Sequence, residues 1–396
     1  MNSRTGNRRP VIRGRKKEKT EYFFDYTLLF IVLFLLGFGL VMLYSTSSYE
    51  AALEHMGDSA YYLRKQLFST ILGLGAMAVI ARIDYHFWRR FATLGYATSV
   101  LLILLVLTPL GMEKNGARRW LNLGISLQPA EVAKLAMILF LATIICKTGK
   151  KLKTWKGFAI ILALPAPVSL LIYTITDNLS SAVIVMGIGA VMLFVATMDY
   201  KKFVLLGMGA ASAIALGVFI TVKKAEKGIS ASNFRGERVL AWLDPEAFAS
   251  GKGFQTLQAL YAIGSGGIFG KGLGQSMQKL GFLPEAQNDM IFSIICEELG
   301  LFGAMAVILL FVLLIWRCMI IANNASDLFG ALLVVGVMGH FAIQVILNIA
   351  VVTNTIPNTG ITLPFISYGG SSTMFLLSEI GLVLSVSRGI RLRDGI

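Results

Sequence analysis

Long apolar runs recur along almost the whole chain, and they constrain its fold more than any other feature. A helix needs about 20 apolar residues to cross the hydrocarbon core of a bilayer. We predict ten transmembrane spans: 25–47, 67–82, 91–110, 131–147, 157–176, 180–198, 203–222, 290–316, 327–352 and 371–387. With 56% hydrophobic and only 15% charged residues, the chain is too apolar for a soluble domain. The predicted fold class is an all-α polytopic membrane protein.

Lys and Arg are distributed unevenly between the segments that connect these spans. With the N-terminus placed inside, the inside segments hold 22 of these residues and the short outside loops hold five. Because cytoplasmic loops carry such an excess, both termini are predicted to be cytoplasmic. The net charge of +14 then reflects topology and contact with anionic lipid, and no nucleic-acid partner is expected. We predict a basic, disordered tail at 1–24, a ten-span domain at 25–388 and a short tail at 389–396.

Cysteine and histidine usage argues against disulfide and metal chemistry. Cys146, Cys296 and Cys318 lie in or beside apolar runs and form no CxxC pair. The sequence therefore predicts neither a disulfide framework nor a zinc site. The three histidines are scattered, which argues against a histidine-built metal centre.

The segment 223–289, between the seventh and eighth spans, is predicted to be one long extracytoplasmic loop. Loops of this length are uncommon unless they have a function. Within it, GFQTLQALYAIG (253–264) has helical apolar spacing and predicts a helix on the membrane surface. The glycine-rich GSGGIFGKGLGQS that follows fits no phosphate-loop pattern. We expect its glycines to allow tight turns or to let N–H groups approach an anion.

Charged residues at the predicted outer surface are candidates for a site. In QPAEVAKLA (128–136), Glu131 and Lys134 share a face at the start of the fourth span. They form either a snorkelling ion pair or a cation held for an anionic head group. In NGARRWLNLG (115–124), Arg118 and Arg119 face outside, where they would bind a phosphate or pair with an acid such as Glu113.

Asp289 ends the long loop, at the threshold of the eighth span. Spacing alone favours a helix N-cap, for which Asp is worth about 1 kcal/mol. The other interpretation is a base held beside a lipid-borne substrate. Cations in the same loop, together with a carboxylate next to the membrane helix, suit a lipid pyrophosphate. The cations are Arg235, Arg238, Lys252, Lys271 and Lys279, and Glu285 lies with Asp289 at the end of the loop.

Two features lie close to the end of the chain. His340, Gln344 and Asn348 recur every four residues and form a polar stripe, for which we predict hydrogen bonds between helices rather than a water-lined path. PNTGITLPFISYGGSS (357–372) cannot form a continuous helix, so it should be re-entrant or packed within protein. Whether the carboxylates in the spans cap, pair or line a cavity stays open. They are Glu297, Glu298 and Glu379.

Four motifs, in this order, carry a family resemblance: GARRWLNLG, QPAEVAKLA, GFLPEAQNDMIFSIICEELG and GITLPFISYGGSS. Together they closely resemble the SEDS family (shape, elongation, division and sporulation proteins), whose members are ten-span peptidoglycan glycosyltransferases. The resemblance runs from the first span to the last.

The last motif resembles the FtsW type, of division or sporulation, rather than the RodA type. RodA-type members more often have Pro where this chain has Thr362 and Ala where it has Ser372. One departure is that the family often reads QPDLGT after the fifth span, where this chain reads ITDNLSS. The role of Asp177 in that stretch is therefore left open.

The resemblance implies roles for individual residues. The family's essential aspartate matches Asp289, which would be the catalytic residue, and its pair at the start of the fourth span matches Glu131 and Lys134. The family has an arginine in an Arg-x-x-Arg pattern of the long loop, which matches Arg238. It also has an arginine directly before a tryptophan, which matches Arg119. The substrate-binding candidates are Arg119, Glu131, Lys134, Arg238, Lys271, Lys279, Glu285, Ser367, Tyr368, Gly369 and Gly370.

The implied substrate is lipid II, a disaccharide-pentapeptide on undecaprenyl pyrophosphate. Its GlcNAc 4-hydroxyl would attack C1 of the terminal MurNAc of the growing strand, with inversion, and Asp289 would be the general base. Pyrophosphate is a good leaving group, so cations can replace the second carboxyl that glycosidases need. Mg or Mn could assist, although the sequence shows no dedicated cage.

Two other functions stay open at this stage: a lipid II flippase and a non-catalytic scaffold. The resemblance also implies a class B penicillin-binding protein and divisome regulators as partners. The expected location is the bacterial plasma membrane, at the division septum.

Overall fold

The computed structural model describes residues 24–114, 117–122, 124, 126–226, 234–251 and 253–390. The predicted tails lie almost wholly outside these ranges, as does Lys252. The helices are α1 (Tyr26–Glu54), α2 (Tyr61–Arg82), α3 (Tyr85–Arg89), α4 (Ala92–Leu105), α5 (Pro129–Thr148), α6 (Trp155–Ala163), α7 (Ala166–Ile175), α8 (Leu179–Thr197), α9 (Tyr200–Glu226), α10 (Phe234–Leu243), α11 (Phe254–Gly266), α12 (Ile291–Asn324), α13 (Leu328–Val352) and α14 (Ser371–Arg388).

Eight helical stretches of the described chain are long and apolar enough to cross a membrane. They coincide with eight predicted spans and comprise α1, α2, α5, α6 with α7, α8, α9, α12 and α13. The third and tenth predicted spans coincide with α4, of 14 residues, and α14, of 18 residues. The helical, polytopic fold class is therefore confirmed, whereas the count of ten spans stays a prediction.

The fifth predicted span is two helices rather than one. α6 ends at Ala163 and α7 begins at Ala166, with Pro165 between them. Proline cannot donate a main-chain hydrogen bond, and its ring clashes with the preceding turn of a helix. The position that a side chain at Gly189 of α8 would take lies 2.6 Å from Pro165 Cγ. The break therefore lies against a close approach of α8.

The prediction of an all-α chain missed a small antiparallel sheet between α4 and α5. Its strands are β1 (Gly111–Lys114), β2 (Ala117–Asn122) and β3 (Ser126–Leu127), in the order β1-β2-β3. Met112 pairs with Trp120 in this sheet. The sequence did carry a signal, because Asn-Gly is a common two-residue hairpin connection and lies between β1 and β2.

The long loop contains two helices. α10 was not predicted, whereas α11 confirms the helix expected at 253–264. α11 packs against α12 and buries Leu257, Ala259 and Ala262, and its location at the membrane surface stays a prediction. A Cβ at Gly266 would lie 1.9 Å from the main-chain oxygen of Cys296. Only glycine allows this approach of the two helices.

The glycine-rich segment after α11 fills a break in α12. Gly300 has φ +66° and ψ −164°, which interrupts that helix. The N–H of Lys271 donates to the carbonyl of Glu297 at 2.9 Å, and the N–H of Leu301 donates to the carbonyl of Gly267 at 3.0 Å. Main-chain groups that the break frees are thus paired with the loop, as a membrane protein requires. These glycines therefore allow the main chain of the segment after α11 to lie directly against the main chain of α12.

The irregular stretch 353–370 between α13 and α14 is packed within the protein, as predicted. Leu363, Phe365 and Ile366 are buried. A Cβ at Gly39 of α1 would lie 2.5 Å from the main-chain oxygen of Phe365, so α1 and this stretch touch backbone to backbone. The buried core continues through α5, α8, α13 and α14. The stretch is therefore packed against α1 and the buried core.

Candidate active site

Asp289 does not cap α12. The N-cap residue is Met290, and no side chain makes a capping hydrogen bond there. The cap interpretation is therefore wrong. Asp289 is only 8% exposed, and its Oδ1 atom has no hydrogen-bond partner among the described residues. A buried carboxylate oxygen without a partner is costly, which makes Asp289 a candidate for a functional group.

The surroundings of Asp289 shift its acidity toward neutral pH. Burial raises the pKa of its carboxyl from 3.8 to about 7, and the negative charge of Glu285 adds to the rise. The main-chain hydrogen bond and the positive charge of Arg238 oppose it. A general base works best when its pKa lies near the pH at which the enzyme operates. Asp289 meets that condition, whereas an ordinary exposed aspartate does not.

Asn348 of α13 holds the main chain at Asp289. Its Nδ2 donates to the carbonyl of Asp289 at 2.8 Å and to the carbonyl of Ile361 at 2.6 Å. Gly360, at φ +70°, lies beside the carboxyl group, and a Cβ there would lie 3.6 Å from Oδ2 of Asp289. The irregular stretch therefore lies directly beside this carboxyl group.

α10 also bonds this stretch. Arg238 donates to the carbonyl of Asn358 at 3.1 Å. Trp242 donates from Nε1 to the carbonyl of Asn354 at 3.0 Å, and the side-chain amide of Asn354 donates back to the carbonyl of Trp242 at 3.3 Å. These bonds position the Arg238 guanidinium so that its charge acts on Asp289. Trp242 was not predicted from the sequence. The one signal for it was that a tryptophan occurs within a polar loop.

Glu131 and Lys134 form a buried ion pair at the start of α5. Their side-chain atoms lie 2.7 Å apart, and the two side chains are 7% and 2% exposed. The hydroxyl of Ser372 donates to Glu131 Oε2 at 3.2 Å, and Lys134 Nζ donates to Gln344 Oε1 at 3.4 Å. The snorkelling interpretation is wrong, because Lys134 points into protein and not to water.

The polar stripe on α13 is a chain of hydrogen bonds between helices, as predicted. Gln344 donates from Nε2 to the carbonyl of Thr362 at 3.0 Å, which fixes the orientation of its amide. Oε1 of Gln344 then accepts from Lys134 and from Nε2 of His340, the latter at 2.8 Å. Nε2 of His340 must therefore carry a hydrogen. This bonding determines the tautomer of a neutral imidazole.

His340 also contacts Glu379 of α14, with 2.8 Å between Nδ1 and Oε2. One hydrogen lies between these two atoms, carried either by the imidazole or by the carboxyl group. In either case the pair is neutral as a whole, because an imidazolium faces a carboxylate or a neutral ring faces an acid. With the Glu131–Lys134 pair, the network buries no net charge, which limits its desolvation cost.

The hydrogen bonds around Lys134 and those around Asp289 reach neighbouring residues of the irregular stretch, Thr362 and Ile361. Gln344 bonds the carbonyl of Thr362, and Asn348 bonds the carbonyl of Ile361. One face of α13 therefore joins Lys134, through Gln344, to the stretch that contacts Asp289. Through α13, this arrangement links the sequence-predicted residues at the start of the fourth span to Asp289.

Gly369 and Gly370 lie where the irregular stretch meets α14. Both main-chain N–H groups donate to Oε1 of Gln66 at 3.2 Å. The amide nitrogen of Gln66 donates to the hydroxyl of Thr373 at 2.8 Å. Gln66 of α2, directly before the predicted second span (67–82), was missed by sequence reasoning. The two glycine N–H groups thus have a protein acceptor, and their substrate role stays a prediction.

Ser367 and Tyr368 support the same corner. The N–H of Leu363 donates to Ser367 Oγ at 2.8 Å, and the N–H of Tyr368 donates to the carbonyl of Gln287 at 2.9 Å. The rings of Tyr368 and Tyr62 meet edge to face, with centroids 5.3 Å apart. Tyr368 therefore connects the Asp289 loop to α2.

Arg119 of β2 binds the connection between α7 and α8. It donates to the carbonyl of Thr176 at 3.1 Å and to the carbonyl of Asp177 at 2.9 Å. Arg118, next to it, lies 3.7 Å from Glu113, as the salt-bridge alternative predicted. The two arginines therefore have different partners, and only Arg119 fastens the sheet to the helices.

Lys271 and Lys279 each have a carboxylate partner on α12. Lys271 lies 2.7 Å from Glu297, and Lys279 lies 2.7 Å from Glu298. Ser45 of α1 donates to Glu298 at 2.8 Å and joins the second pair. Of the three alternatives left open by the sequence, Glu297 and Glu298 therefore form ion pairs. A role for the two lysines in substrate binding stays a prediction.

Of the three remaining charged residues of the loop, Glu285 lies fully within the described part of the chain. Glu285 has φ +57°, and its carboxylate accepts a hydrogen bond from the side-chain amide of Asn288. Its charge acts on Asp289, so the structure brings these two predicted residues together. The side chain of Arg235 and all of Lys252 lie outside the described part of the chain.

Comparisons with known proteins agree with this architecture. The family model for FtsW, RodA and SpoVE, described as a cell cycle protein, matches residues 26–392. The chain is 41% identical over 367 residues to stage V sporulation protein E of Bacillus subtilis, covering 92% of this chain and 97% of that one. It is 39% identical over 376 residues to a probable peptidoglycan glycosyltransferase FtsW of Trichlorobacter lovleyi, covering 93% and 94%.

A solved structure is similar over nearly the whole fold. It is described as "Structural coordination of polymerization and crosslinking by a peptidoglycan synthase complex". One of its chains matches with a TM-score of 0.71 and 30% identity, covering 92% of this chain and 98% of that chain. The FtsW and sporulation relatives confirm the predicted type. On these grounds the chain belongs to the FtsW/RodA/SpoVE family of cell cycle proteins, as an FtsW-like member.

Proposed function

We propose that Asp289 is the general base with which this chain polymerises lipid II. The chain is a peptidoglycan glycosyltransferase of its family, as its relatives named FtsW are. The observation that carries the proposal is a buried carboxyl group with a pKa of about 7, whose Oδ1 has no partner among the described residues. Such a group can accept the proton of the attacking GlcNAc 4-hydroxyl without first breaking an ion pair of its own.

Cations would stabilise the departing pyrophosphate, since no second carboxyl has to protonate it. Arg238 is our first candidate, because its charge already acts on Asp289 and its side chain is fixed by Asn358. Lys134 and Arg119 would stabilise the same charge from further away. Lys134 is held by its hydrogen bond to Gln344, and Arg119 is held by its position in β2. Arg binds phosphate with two parallel hydrogen bonds, which favours Arg238 over a lysine.

A divalent cation, Mg or Mn, is proposed as an assisting ion. In the part of the chain that is described, no group of three or more His, Cys, Asp or Glu could hold a metal ion. Mg²⁺ often binds through one or two carboxylates and the phosphates of a substrate, and Glu285 is the carboxylate we would assign to it. No step depends on this ion. Removal with EDTA, followed by readdition of Mg or Mn, is the test.

We also propose ten spans with both termini in the cytoplasm, so that Asp289 faces the outside of the plasma membrane. The distribution of Lys and Arg supports this orientation. A class B penicillin-binding protein is the proposed partner, since the similar solved chain belongs to a complex of polymerization and crosslinking. Divisome regulators and a septal location are proposed from the similarity to FtsW.

One assay tests the base. The protein, purified with its partner, is given fluorescent lipid II, and the glycan products are separated on a gel. Asp289→Asn keeps the size of the side chain and removes the base, so we expect the rate to fall by about 10²–10⁴-fold. Asp244→Asn is the matched control, because Asp244 is an exposed acid of the same loop that bonds the N–H of Ala247.

Equal rates for Asp289→Asn and the wild type would refute Asp289 as the base. The flippase alternative makes a different prediction. If neither protein forms glycan while both move lipid II across vesicle membranes, transport and not polymerisation is the activity.

A further inference from the structure

A cavity of about 730 Å³ opens between α1, α2 and α14, away from the site described above. Its floor is apolar and includes Leu29, Met77 and Leu384, and one end carries Arg82 and Arg388. Both arginines are exposed. The volume lies within the range of pockets that hold drug-sized ligands, about 300–1,000 Å³. The cavity therefore combines an apolar channel with a cationic mouth.

This cavity lies far from Asp289. Asp25, which precedes α1 beside the cavity, pairs with Arg317 at 2.6 Å. Arg317 lies near the other end of α12, and the path along this helix from Asp289 is roughly 40 Å at about 1.5 Å per residue. In the proposed orientation, the cationic mouth is at the cytoplasmic surface and Asp289 is at the opposite one. The cavity is thus separate from the polymerisation site.

The charge at the mouth is not neutralised within the described chain. Arg82 makes no ion pair there, and the side-chain bond of Arg388 goes to the main-chain carbonyl of Ala81 at 3.0 Å. The nearby acid, Asp25, is already occupied by Arg317 and by the N–H of Leu28. A guanidinium has five N–H donors, so most of those on Arg82 and Arg388 remain for a ligand.

We propose that this cavity binds an anionic glycerophospholipid, with its phosphate on Arg82 and Arg388 and an acyl chain on Leu29 and Met77. Phosphate oxygens match the fork of a guanidinium, and basic pockets between transmembrane helices on the cytoplasmic side suit anionic head groups. The chain's own N-terminal tail is a poorer occupant. Residues 1–23 carry eight Lys and Arg against two Glu, so the two arginines would repel them.

Native mass spectrometry of the full chain tests this site, with phosphatidylglycerol or phosphatidylcholine added in equal amounts. We expect wild-type protein to retain phosphatidylglycerol preferentially. Arg82→Gln/Arg388→Gln should lose at least tenfold in retention, and Arg82→Lys/Arg388→Lys should keep part of it. Lys150→Gln/Lys156→Gln removes two exposed cations elsewhere in the inside segments and should change nothing.

Further arms separate the lipid from other occupants. Ala78→Trp fills the channel and should reduce retention while the melting temperature stays unchanged. Unchanged retention in Arg82→Gln/Arg388→Gln would overturn the proposal. Undecaprenyl pyrophosphate that displaces phosphatidylglycerol at equal concentration would assign the site to the polyprenyl lipid. A chain lacking residues 2–20 that binds far more phosphatidylglycerol would assign the site to the tail.

Discussion

The side-chain amide of Asn348 donates to the main-chain carbonyl of Asp289 at 2.8 Å, so the proposed base is positioned from α13 and not from its own helix. The same amide bonds the carbonyl of Ile361, and Asn348 is fully buried. One side chain therefore sets the distance between the carboxyl group and the irregular stretch beside it. This relationship leads to the first prediction.

Asn348→Leu should slow polymerisation without touching the base. It leaves two buried carbonyl groups without a donor, at a cost of about 1–3 kcal/mol each in the free energy of unfolding. A misplacement of about 1 Å can cost roughly 10²-fold in rate, and we expect a fall of that order in kcat at 25 °C. Asn324→Leu, at the exposed end of α12, is the control. Unchanged kcat in a folded Asn348→Leu protein would remove the positioning role.

The pH profile of kcat/KM should report the acidity of Asp289. The base must be deprotonated, so the rate should rise with pH and level off above about 7. Glu285→Gln removes a negative charge that raises this pKa, so the acid limb should move to lower pH. Arg238→Gln removes a positive charge that lowers it, so the limb should move to higher pH. Shifts in the same direction for both variants would contradict this account.

Asp289→Asn should stabilise the protein at high pH. The folded-state pKa of about 7 lies above the ordinary value of 3.8, so between these values the folded protein holds a proton that the unfolded chain has lost. Wild-type stability therefore falls as pH rises through this window and is lowest above it. Melting temperatures at pH 5 and pH 8 are the measurement. We expect the advantage of the variant to be larger at pH 8, and an equal advantage at both would contradict the raised pKa.

Glu379→Gln should be tolerated, whereas Glu379→Leu should not. Because the His340–Glu379 pair shares one hydrogen, a glutamine can donate to Nδ1 of a neutral His340, and Gln344 keeps its orientation. A leucine leaves Nδ1 without a partner, at about 1–3 kcal/mol. It also loosens the hold of Gln344 on Thr362. The measurements are kcat, KM and melting temperature, and equal loss in both variants would show that the charge of Glu379 is required.

Much of this fold follows from sequence patterns of short range. The apolar runs predicted the positions of the long helices. A helix that crosses a bilayer needs such a run whichever other helices it packs against. Two prolines and three glycines indicated that 357–372 is irregular. The spacing of His340, Gln344 and Asn348 indicated a bonded face of α13. In each case the signal lies within a few residues of the structure that it determines.

Side-chain contacts between distant parts of the chain could not be predicted in the same way. Ser45 and Glu298 are 253 positions apart, and Gln66 and Thr373 are 307 apart. No local pattern pairs such residues, since their meeting depends on how whole helices pack. Asp289 shows the same limit, because its position before an apolar run suits a cap. In the fold its carbonyl accepts from Asn348 and its carboxyl group lies beside Gly360, and both of these residues approach from elsewhere in the chain.

The Lys279–Glu298 pair separates a structural cation from one that binds substrate. Both side chains are buried, so Lys279→Met leaves the charge of Glu298 uncompensated and should cost about 3–5 kcal/mol in the free energy of unfolding. Lys279→Met/Glu298→Gln removes both charges, and we expect it to recover most of the lost melting temperature and most of the polymerisation rate. Arg64→Met, at an exposed cation that pairs with Asp58, is the control. A double variant that regains its melting temperature but loses kcat/KM by 100-fold or more would show that Lys279 contacts the substrate.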